Sequence, residues 1–363
     1  MTHPDLQKRF INNRYDLDTM TGRLVRMSPQ IRLYVTLTLI LAAVLAACGS
    51  QPASPTSAPL TEVSIQLAWT PNIEYSPFFM AEEKGFFAAE GLKVTIRSGG
   101  YDDQGNYISA TEQVASGKAD FGITDGTDLL VSRAAGKPIV AIASLFQRHP
   151  NAYASLADKN IVRPQDLVGK TVMVPPKGKI LLLALLASQG IDPAEVNIVD
   201  RTDFSINPLV KGEADVIDVF ITNESVQLQA EGHKFNQMLS ADYGIDTYPN
   251  IIFTTEDTIK NRPQVVEGFV RATVKSIEAV IANPQEAAKL AVSRNPELTI
   301  EAQEMGMQAA LPLLTPADAK PGMMTAQTWE FTANMLLEQG LLQQMPELSQ
   351  VYTLEFLNKI YGS

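Results

Sequence analysis

VSIQLAWTPNIEYSPFFMAEEKGFFAAEGLKVTIRSGG, residues Val63 to Gly100, is the stretch on which the fold turns. Val63, Ile65, Leu67 and Trp69 alternate with polar or small residues, the period of a strand with one buried face. Thr70, Pro71 and Asn72 stop it. Ser76 before Pro77 predicts a helix start, with a hydroxyl to cap an orphan N–H and a ring suited to the first helical position. Gly85 and Gly91 fit helix ends, and Lys93 to Ser98 reads as a second strand closing on Gly99-Gly100. That glycine pair permits close backbone approach to a neighbour or a ligand, and an ordinary turn explains it equally well. In an open α/β sheet, ligands sit in the crevice outside the carboxyl ends of the strands. The loop expected there carries Trp69, Asn72, Glu74 and Tyr75, which is binding chemistry without an evident nucleophile.

Downstream, strand and helix patterns alternate. Thr111 to Gly117 reads as a helix, Ala119 to Thr124 as a strand, and Asp125-Gly126-Thr127-Asp128 opens another helix that Asp125 or Thr127 would cap. Pro138 to Leu145 is an apolar run of buried-strand length. After Phe146-Gln147-Arg148-His149-Pro150 a second block begins, with strands expected at Lys170 to Val174, Val196 to Asp200 and Ala214 to Ile221. A helix is expected at Thr222 to Ala230, a further strand at Asn250 to Thr255, and a mainly helical tail that packs back on the first block. This alternation over residues 62–255 predicts an α/β protein whose sheets are mainly parallel and flanked by helices. Gly-Lys-Ala-Asp-Phe-Gly (117–122) and Gly-Glu-Ala-Asp-Val-Ile (212–217) echo each other, as two lobes of similar topology would. The expected division is residues 62–147 with 249–363 in one lobe and 148–248 in the other, with hinges near Phe146-Gln147 and Tyr248-Pro249.

The 363 residues suffice for about two ordinary domains, and 45% hydrophobic with 19% charged residues is a globular composition. A net charge of −11 argues against nucleic acid or an anionic membrane surface as the main partner. The acidic excess suits a cationic ligand or simply a solvated surface. Cys48 is the single cysteine, so an internal disulfide and a multi-Cys metal site are excluded. Arg26 and Arg32 precede the apolar run Leu33 to Ala47, too short to cross a bilayer comfortably and suited to a signal segment. The run ends in Leu45-Ala46-Ala47-Cys48, which resembles the lipobox of bacterial lipoproteins; a short membrane anchor is the alternative and ranks well behind it. Residues 1–47 are therefore expected to be a signal peptide, with Met27 as an alternative start, and Cys48 the lipidated residue. Residues 48–61, with Gln51 to Pro59 rich in Pro and Ser, form a tether.

Motifs for a Ser nucleophile, a zinc protease or a phosphate-cradling loop are missing. His3, His149 and His233 have no metal-ligand spacing. Lys177-Gly178-Lys179 before a helix suits a phosphate or, more plainly, solvated lysines. The informative pattern is polar and aromatic residues at strand ends. Trp69, Asn72, Glu74, Tyr75, Gly100, Asp125, Asp128 and Gln147 come from the first block. Asn223, Glu224, Asp242, Tyr243 and Tyr248 come from the second. Aromatics stack on a flat ring, while carboxylates and amides pair with its amino and N–H groups. With no basic cluster beside them, they favour a neutral or amine-bearing heterocycle over an oxyanion. Each taken singly has a structural explanation. No metal, cofactor or catalytic residue is expected.

AWTPN, GFFAAEGLKVTI, VASGKADFGITDGTDLL, DLVGKTVMVP and DVFITNESVQLQAEGH, in this order, resemble the substrate-binding lipoproteins of ABC importers in the pyrimidine-precursor family. That family is related to sulfonate binders and to yeast-type thiamine pyrimidine synthase. The resemblance runs from about Val63 to Asn295. It implies a two-lobed type II periplasmic-binding-protein fold, a thiamine pyrimidine precursor in the cleft, and a membrane permease with its ATPase as partner. It further implies a monomer held outside the cytoplasm by a lipid anchor. Trp69 and Tyr75 would line the ring, and Glu224, in an Asn-Glu-Ser segment where the family has Asn-Glu-Pro, would bind an amino group. Tyr75 stands where pyrimidine binders and the yeast enzyme often carry histidine, and the enzyme's Cys-rich motif is missing. Those departures count against catalysis and leave riboflavin, which relatives in the same group bind, or a sulfonate or nitrate as alternative ligands.

Overall fold

The structure, a computed structural model, describes residues 30, 59–202, 204–315 and 319–362. Cys48 and, apart from Gln30, the expected signal segment lie outside the described residues, as does nearly all of the tether. Among the described residues no helix is long and apolar enough to cross a membrane.

Among the described residues ten strands form two five-stranded sheets. The first contains β1 (Thr61–Gln66), β2 (Leu92–Arg97), β3 (Phe121–Thr124), β4 (Ile139–Ser144) and, from much later in the chain, β10 (Ile251–Thr255). The second contains β5 (Asn151–Leu156), β6 (Thr171–Val174), β7 (Asn197–Asp200), β8 (Val216–Phe220) and β9 (Phe235–Leu239). Their orders are β2-β1-β3-β10-β4 and β7-β6-β8-β5-β9. In each, three neighbouring strands run parallel and the fourth position is antiparallel to both neighbours. Each reversed strand is the one that follows a crossing between the sheets. β5 follows the crossing at 145–150 and β10 the one at 240–250, so the sheets are mixed, with four strands of five sharing a direction.

The echoed Ala-Asp segments have one physical basis. Asp120 accepts the Ser64 N–H of β1 at 2.8 Å, and Asp215 accepts the Thr171 N–H of β6 at 3.0 Å. In each sheet a carboxylate just before the third parallel strand accepts a backbone N–H of the central one, at Ser64 within β1 and at Thr171 where β6 begins.

Helices cover the sheets: α1 (Ser76–Glu83), α2 (Ala110–Ala115), α3 (Gly126–Ala134), α4 (Gly178–Ser188), α5 (Glu224–Ala230), α6 (Pro263–Ala282), α7 (Pro284–Arg294), α8 (Ile300–Leu314) and α9 (Ala326–Glu338). The first sheet's largest core joins α1, α6 and α8, with Phe121 stacked on Phe269 at 4.0 Å. In the second sheet Leu181, Leu182, Leu185 and Leu186 of α4 bury their faces beside Val172, Val174 and Val216. The tail packs on the first sheet as expected, but α9 also reaches the second. Its Trp329 lies in the first sheet's core, its Met335 in the second's, and Gln339 just after it donates to the Ile180 carbonyl at 2.8 Å.

Ser76 does not act as the expected cap. The cap position of α1 belongs to Tyr75, no side chain bonds the helix end, and the buried Ser76 hydroxyl has no partner. Pro77 removes one of the N–H groups such a cap would serve.

Candidate functional site at the seam between the sheets

β1 ends at Gln66, and the chain runs on through Trp69 into a single 3-10 turn, Ile73–Tyr75. Gly99 allows this path: its N–H donates to the Trp69 carbonyl at 3.0 Å, and a Cβ there would lie 2.2 Å from the Leu67 oxygen. Asn72 caps the turn, its Oδ1 accepting the Glu74 N–H at 2.8 Å. Glu74 is thereby held with its carboxylate inward, only 4% exposed. Its Oε1 accepts from the Thr222 hydroxyl at 2.7 Å and from Asn223 Nδ2 at 3.4 Å; its Oε2 accepts from Asn250 Nδ2 at 3.4 Å. Burial raises its pKa, the Thr222 and Asn250 bonds oppose that, and the nearby Glu224 charge adds to it. Tyr75 is buried beside it, and desolvation first and Glu74 second push its phenol well above the usual range, so it stays a donor.

Around the Trp69 ring lie Tyr101 at 5.7 Å, edge-on, and Phe204 at 5.6 Å, tilted by 59°. Phe204 follows β7 and belongs to the other sheet's loops, so these two rings meet across the seam. Tyr101 and Tyr107 pair as an isolated bridge, and the Tyr107 hydroxyl donates to the Ala68 carbonyl at 3.2 Å. Lys177, ahead of α4, lies 5.2 Å over the Tyr107 ring and 3.6 Å from Asp128 of α3.

The second sheet contributes a buried charge cluster. Arg201, 2% exposed, donates to the backbone carbonyls of Asp218 and Ser205, the latter at 2.9 Å, and lies 3.8 Å from Glu224 Oε1. Glu224 Oε2 accepts the Phe220 N–H at 2.9 Å. Asp218 Oδ2 accepts from Asn151 Nδ2 at 2.6 Å. Burial, then the Glu224 charge, pushes the Asp218 pKa up to about 7 against the pull of Arg201 and Asn151. Burial raises Glu224 as well, with Arg201 opposing. His149 beside them is driven down to about 3 by burial and is neutral, its Nδ1 accepting the Asn151 N–H at 3.1 Å.

Trp69, Glu74, Asn223 and Glu224 are thus gathered at one seam, Trp69 reaching Glu224 through Phe204 and Arg201. Asn72 serves as a cap beside them. Asp125 and Asp128 lie near the seam but hold α3: Asp125 accepts the Asp128 N–H at 2.7 Å, and Asp128 accepts the Thr124 hydroxyl at 2.7 Å. Gly100 is buried against Thr70 with φ +89, so the turn and the near neighbour account for it. Four expected residues point elsewhere. Tyr248 is buried on Trp329 with its hydroxyl accepting the Thr325 N–H at 2.7 Å, because the residues before β10 tuck into the first sheet's core. Tyr243 packs on the second sheet's core, and Asp242 pairs with Arg148 at the surface. Gln147 donates to the Lys320 carbonyl at 2.6 Å, tying the first crossing to the tail.

Sequence reasoning did not pick out Tyr101, Tyr107, Arg201, Phe204, Asp218, Thr222 or Asn250. Only the aromatic ends of Tyr101-Asp-Asp-Gln-Gly-Asn-Tyr107 carried a usable signal, two rings flanking a turn. A groove of about 340 Å³ between the starts of α7 and α8, lined by Pro284, Gln285, Glu301, Glu304, Met305 and Gln308, has no aromatic face and lies apart from this cluster.

Residues 72–287 match the family described as NMT1/THI5 like, more than half of the chain. The riboflavin-binding protein RibY of Chloroflexus aurantiacus is 28% identical over 345 residues, spanning 89% of this chain and 97% of that protein. The formylaminopyrimidine-binding protein of Halalkalibacterium halodurans is 28% identical over 309 residues, spanning 83% and 92%. Among solved structures, the periplasmic aliphatic sulphonate binding protein SsuA from Escherichia coli superposes with a TM-score of 0.65 at 12% identity, covering 84% of this chain and 100% of that one. That likeness concerns the fold, a two-lobed type II periplasmic-binding-protein architecture with the seam described above between its lobes. By its matched span and its motif order, the chain is a member of the NMT1/THI5-like family.

Proposed function

We propose that this chain is the solute-binding component of an ABC importer, capturing a flat heteroaromatic nutrient between its lobes without altering it. The observation that carries this is the convergence of Glu74 and Glu224 from opposite lobes at the seam where the tilted rings of Trp69 and Phe204 meet. Two carboxylates of the second lobe, the buried Asp218 and the part-buried Glu224, share the buried cation Arg201, while Glu74 faces them from the first lobe with no cation of its own among the described contacts. Such a site is completed by N–H and amino donors on a ring whose faces stack on the aromatics. A thiamine pyrimidine precursor has those features, and the formylaminopyrimidine-binding relative supports it. Riboflavin is a second reading, favoured by the ring area that Trp69, Tyr101, Tyr107 and Phe204 offer together and by the RibY relative. A sulfonate would want an uncommitted guanidinium, whereas Arg201 already serves two carbonyls and a carboxylate.

Lobes divided at 147–148 and 248–249 would close on the ligand and present one combined surface to a permease and its ATPase. A lipid on Cys48 would hold the monomer outside the cytoplasm. A synthase reading would require a lysine that takes up pyridoxal phosphate, and no Schiff-base absorbance is expected on incubation with it. The deciding experiment is a thermal-shift and calorimetry panel of formylaminopyrimidine, riboflavin and an aliphatic sulfonate, since binding to the folded state raises its apparent stability. Saturable binding of either heterocycle is expected. Binding of the sulfonate alone would overturn the reading.

A further inference from the structure

We propose that α8, which lies beyond the family-matched span, is the clamp that positions Glu74 in the ligand site, with Gln303 and Gly306 as its positioning residues. The inference rests on the reading that Glu74 faces the ligand. Three residues apart, Gln303 and Gly306 share one face of α8. Gln303 is buried, and its Oε1 accepts the N–H of Ile73 at 3.0 Å, the first residue of the turn that carries Glu74. Just before α8, Asn295 donates to the Pro71 carbonyl at 3.2 Å, so the tail holds this loop at two points.

Gly306 faces the other lobe. A Cβ there would lie 2.6 Å from the Thr222 carbonyl oxygen and 3.4 Å from Ile73 Cγ1. Its backbone is ordinary helix, so no left-handed conformation calls for glycine, and glycine weakens a helix interior. Close approach to Thr222 is what the missing side chain allows. Thr222 is the residue whose hydroxyl donates to Glu74 at 2.7 Å. α8 itself is seated in the first lobe by Met307, Ala310, Leu313 and Leu314. One helix face therefore fixes both the turn bearing the carboxylate and the distance at which the opposite lobe's donor reaches it.

The test uses the full chain with Gln303→Met, Gly306→Ala and, as an exposed control on the same helix, Gln308→Ala. Gln303→Met keeps the volume and removes the acceptor, and Gly306→Ala should favour the helix itself. In the ligand-free protein, Gln303→Met is expected to speed hydrogen exchange at the Ile73 amide. Gly306→Ala is expected to do so at Asn223, whose N–H donates to the Phe220 carbonyl. Whichever of formylaminopyrimidine and riboflavin binds the unaltered protein should bind both variants about tenfold more weakly by calorimetry, and the control unchanged. For Gly306→Ala that loss should come without a lower thermal midpoint, a pairing a merely structural role would not give. Undiminished affinity in both variants overturns the clamp. If the unaltered protein binds neither probe, the ligand reading fails instead, and exchange alone decides: the clamp stands if both amides quicken and falls if either keeps its protection.

Discussion

The two walls of the seam are built on opposite plans. In the first lobe, the Glu74 side chain takes one hydrogen bond from its own lobe, from Asn250 just before β10, and two from the opposite lobe, from Thr222 and Asn223 after β8. In the second lobe, Arg201, Asp218, Glu224 and Asn151 bond among themselves and to local backbone. The second wall is therefore complete by itself, whereas the first is complete only when the lobes meet. A receptor that must open and close can keep its costliest group, a buried cation with its carboxylates, in a cluster that does not come apart with each cycle. On the proposed function, the carboxylate that would part from its opposite-lobe donors is Glu74, whose turn Asn72 caps from within its own loop.

Removing Arg201 should break the comparison most severely. Arg201→Met leaves the buried Asp218 and the part-buried Glu224 without their cation and is expected to cost about 3–5 kcal/mol in urea unfolding. A loss below about 1 kcal/mol would mean the second wall is not self-contained. Proton linkage comes next. The Asp218 carboxyl titrates near 7 in the folded chain against 3.8 unfolded, so the native state binds this proton more tightly. Its contribution is full below about pH 4 and is lost as the pH rises to about 7, on the order of 4 kcal/mol. His149 acts in the opposite sense, with folded pKa about 3 against 6.5, and its contribution is lost as the pH falls from about 6.5 towards 3. Because the two oppose each other, the measurement is the stability difference between the unaltered chain and Asp218→Asn, which should shrink from pH 4 to pH 7. A flat difference would remove Asp218 as the titrating group.

The first wall is sharpened by Trp69→Ala. Stacking a flat ligand on this residue contributes roughly 0.5–1.5 kcal/mol per ring pair beyond area, so at least a tenfold loss of affinity is expected with the ligand-free thermal midpoint nearly unchanged. Equal calorimetric affinity would show that the ring faces play no part. The smallest effect belongs to the ion pair between the lobes. Lys177 is half exposed, and Lys177→Ala should lose about 0.2–1 kcal/mol at most and shift affinity by less than about threefold, more so in low salt.

Much of the architecture was legible in the chain because its signals are local. The alternation from Val63 and the apolar runs 138–145 and 214–221 lie on strands, and the echoed Ala-Asp segments mark equivalent points of the two sheets. Two strands were not legible. NAYASL in β5 and FNQML in β9 have no β-branched residue. β5 is a strand because antiparallel partners on both sides, β8 and β9, take up its backbone groups. Of the site, Trp69, Glu74, Asn223 and Glu224 stood out as polar or aromatic residues at strand ends. Tyr248 stood out in the same way and is core, since the same residue type serves a ring stack inside or outside.

What the amino-acid order determined alone was the succession of elements apart from β5 and β9, the acidic and non-nucleophilic character of the strand ends, and the family pattern of motifs. Periodicity and turn chemistry act over a few residues, and a few residues suffice to read them. What the tertiary structure decided was company: that Phe204 meets Trp69, that Thr222 and Asn250 serve Glu74, and that one arginine answers both Glu224 and Asp218. Those pairs stand up to 176 residues apart in the chain. Nothing local distinguishes a partner at that separation, because the free energy that selects it arises only when both are withdrawn from water together.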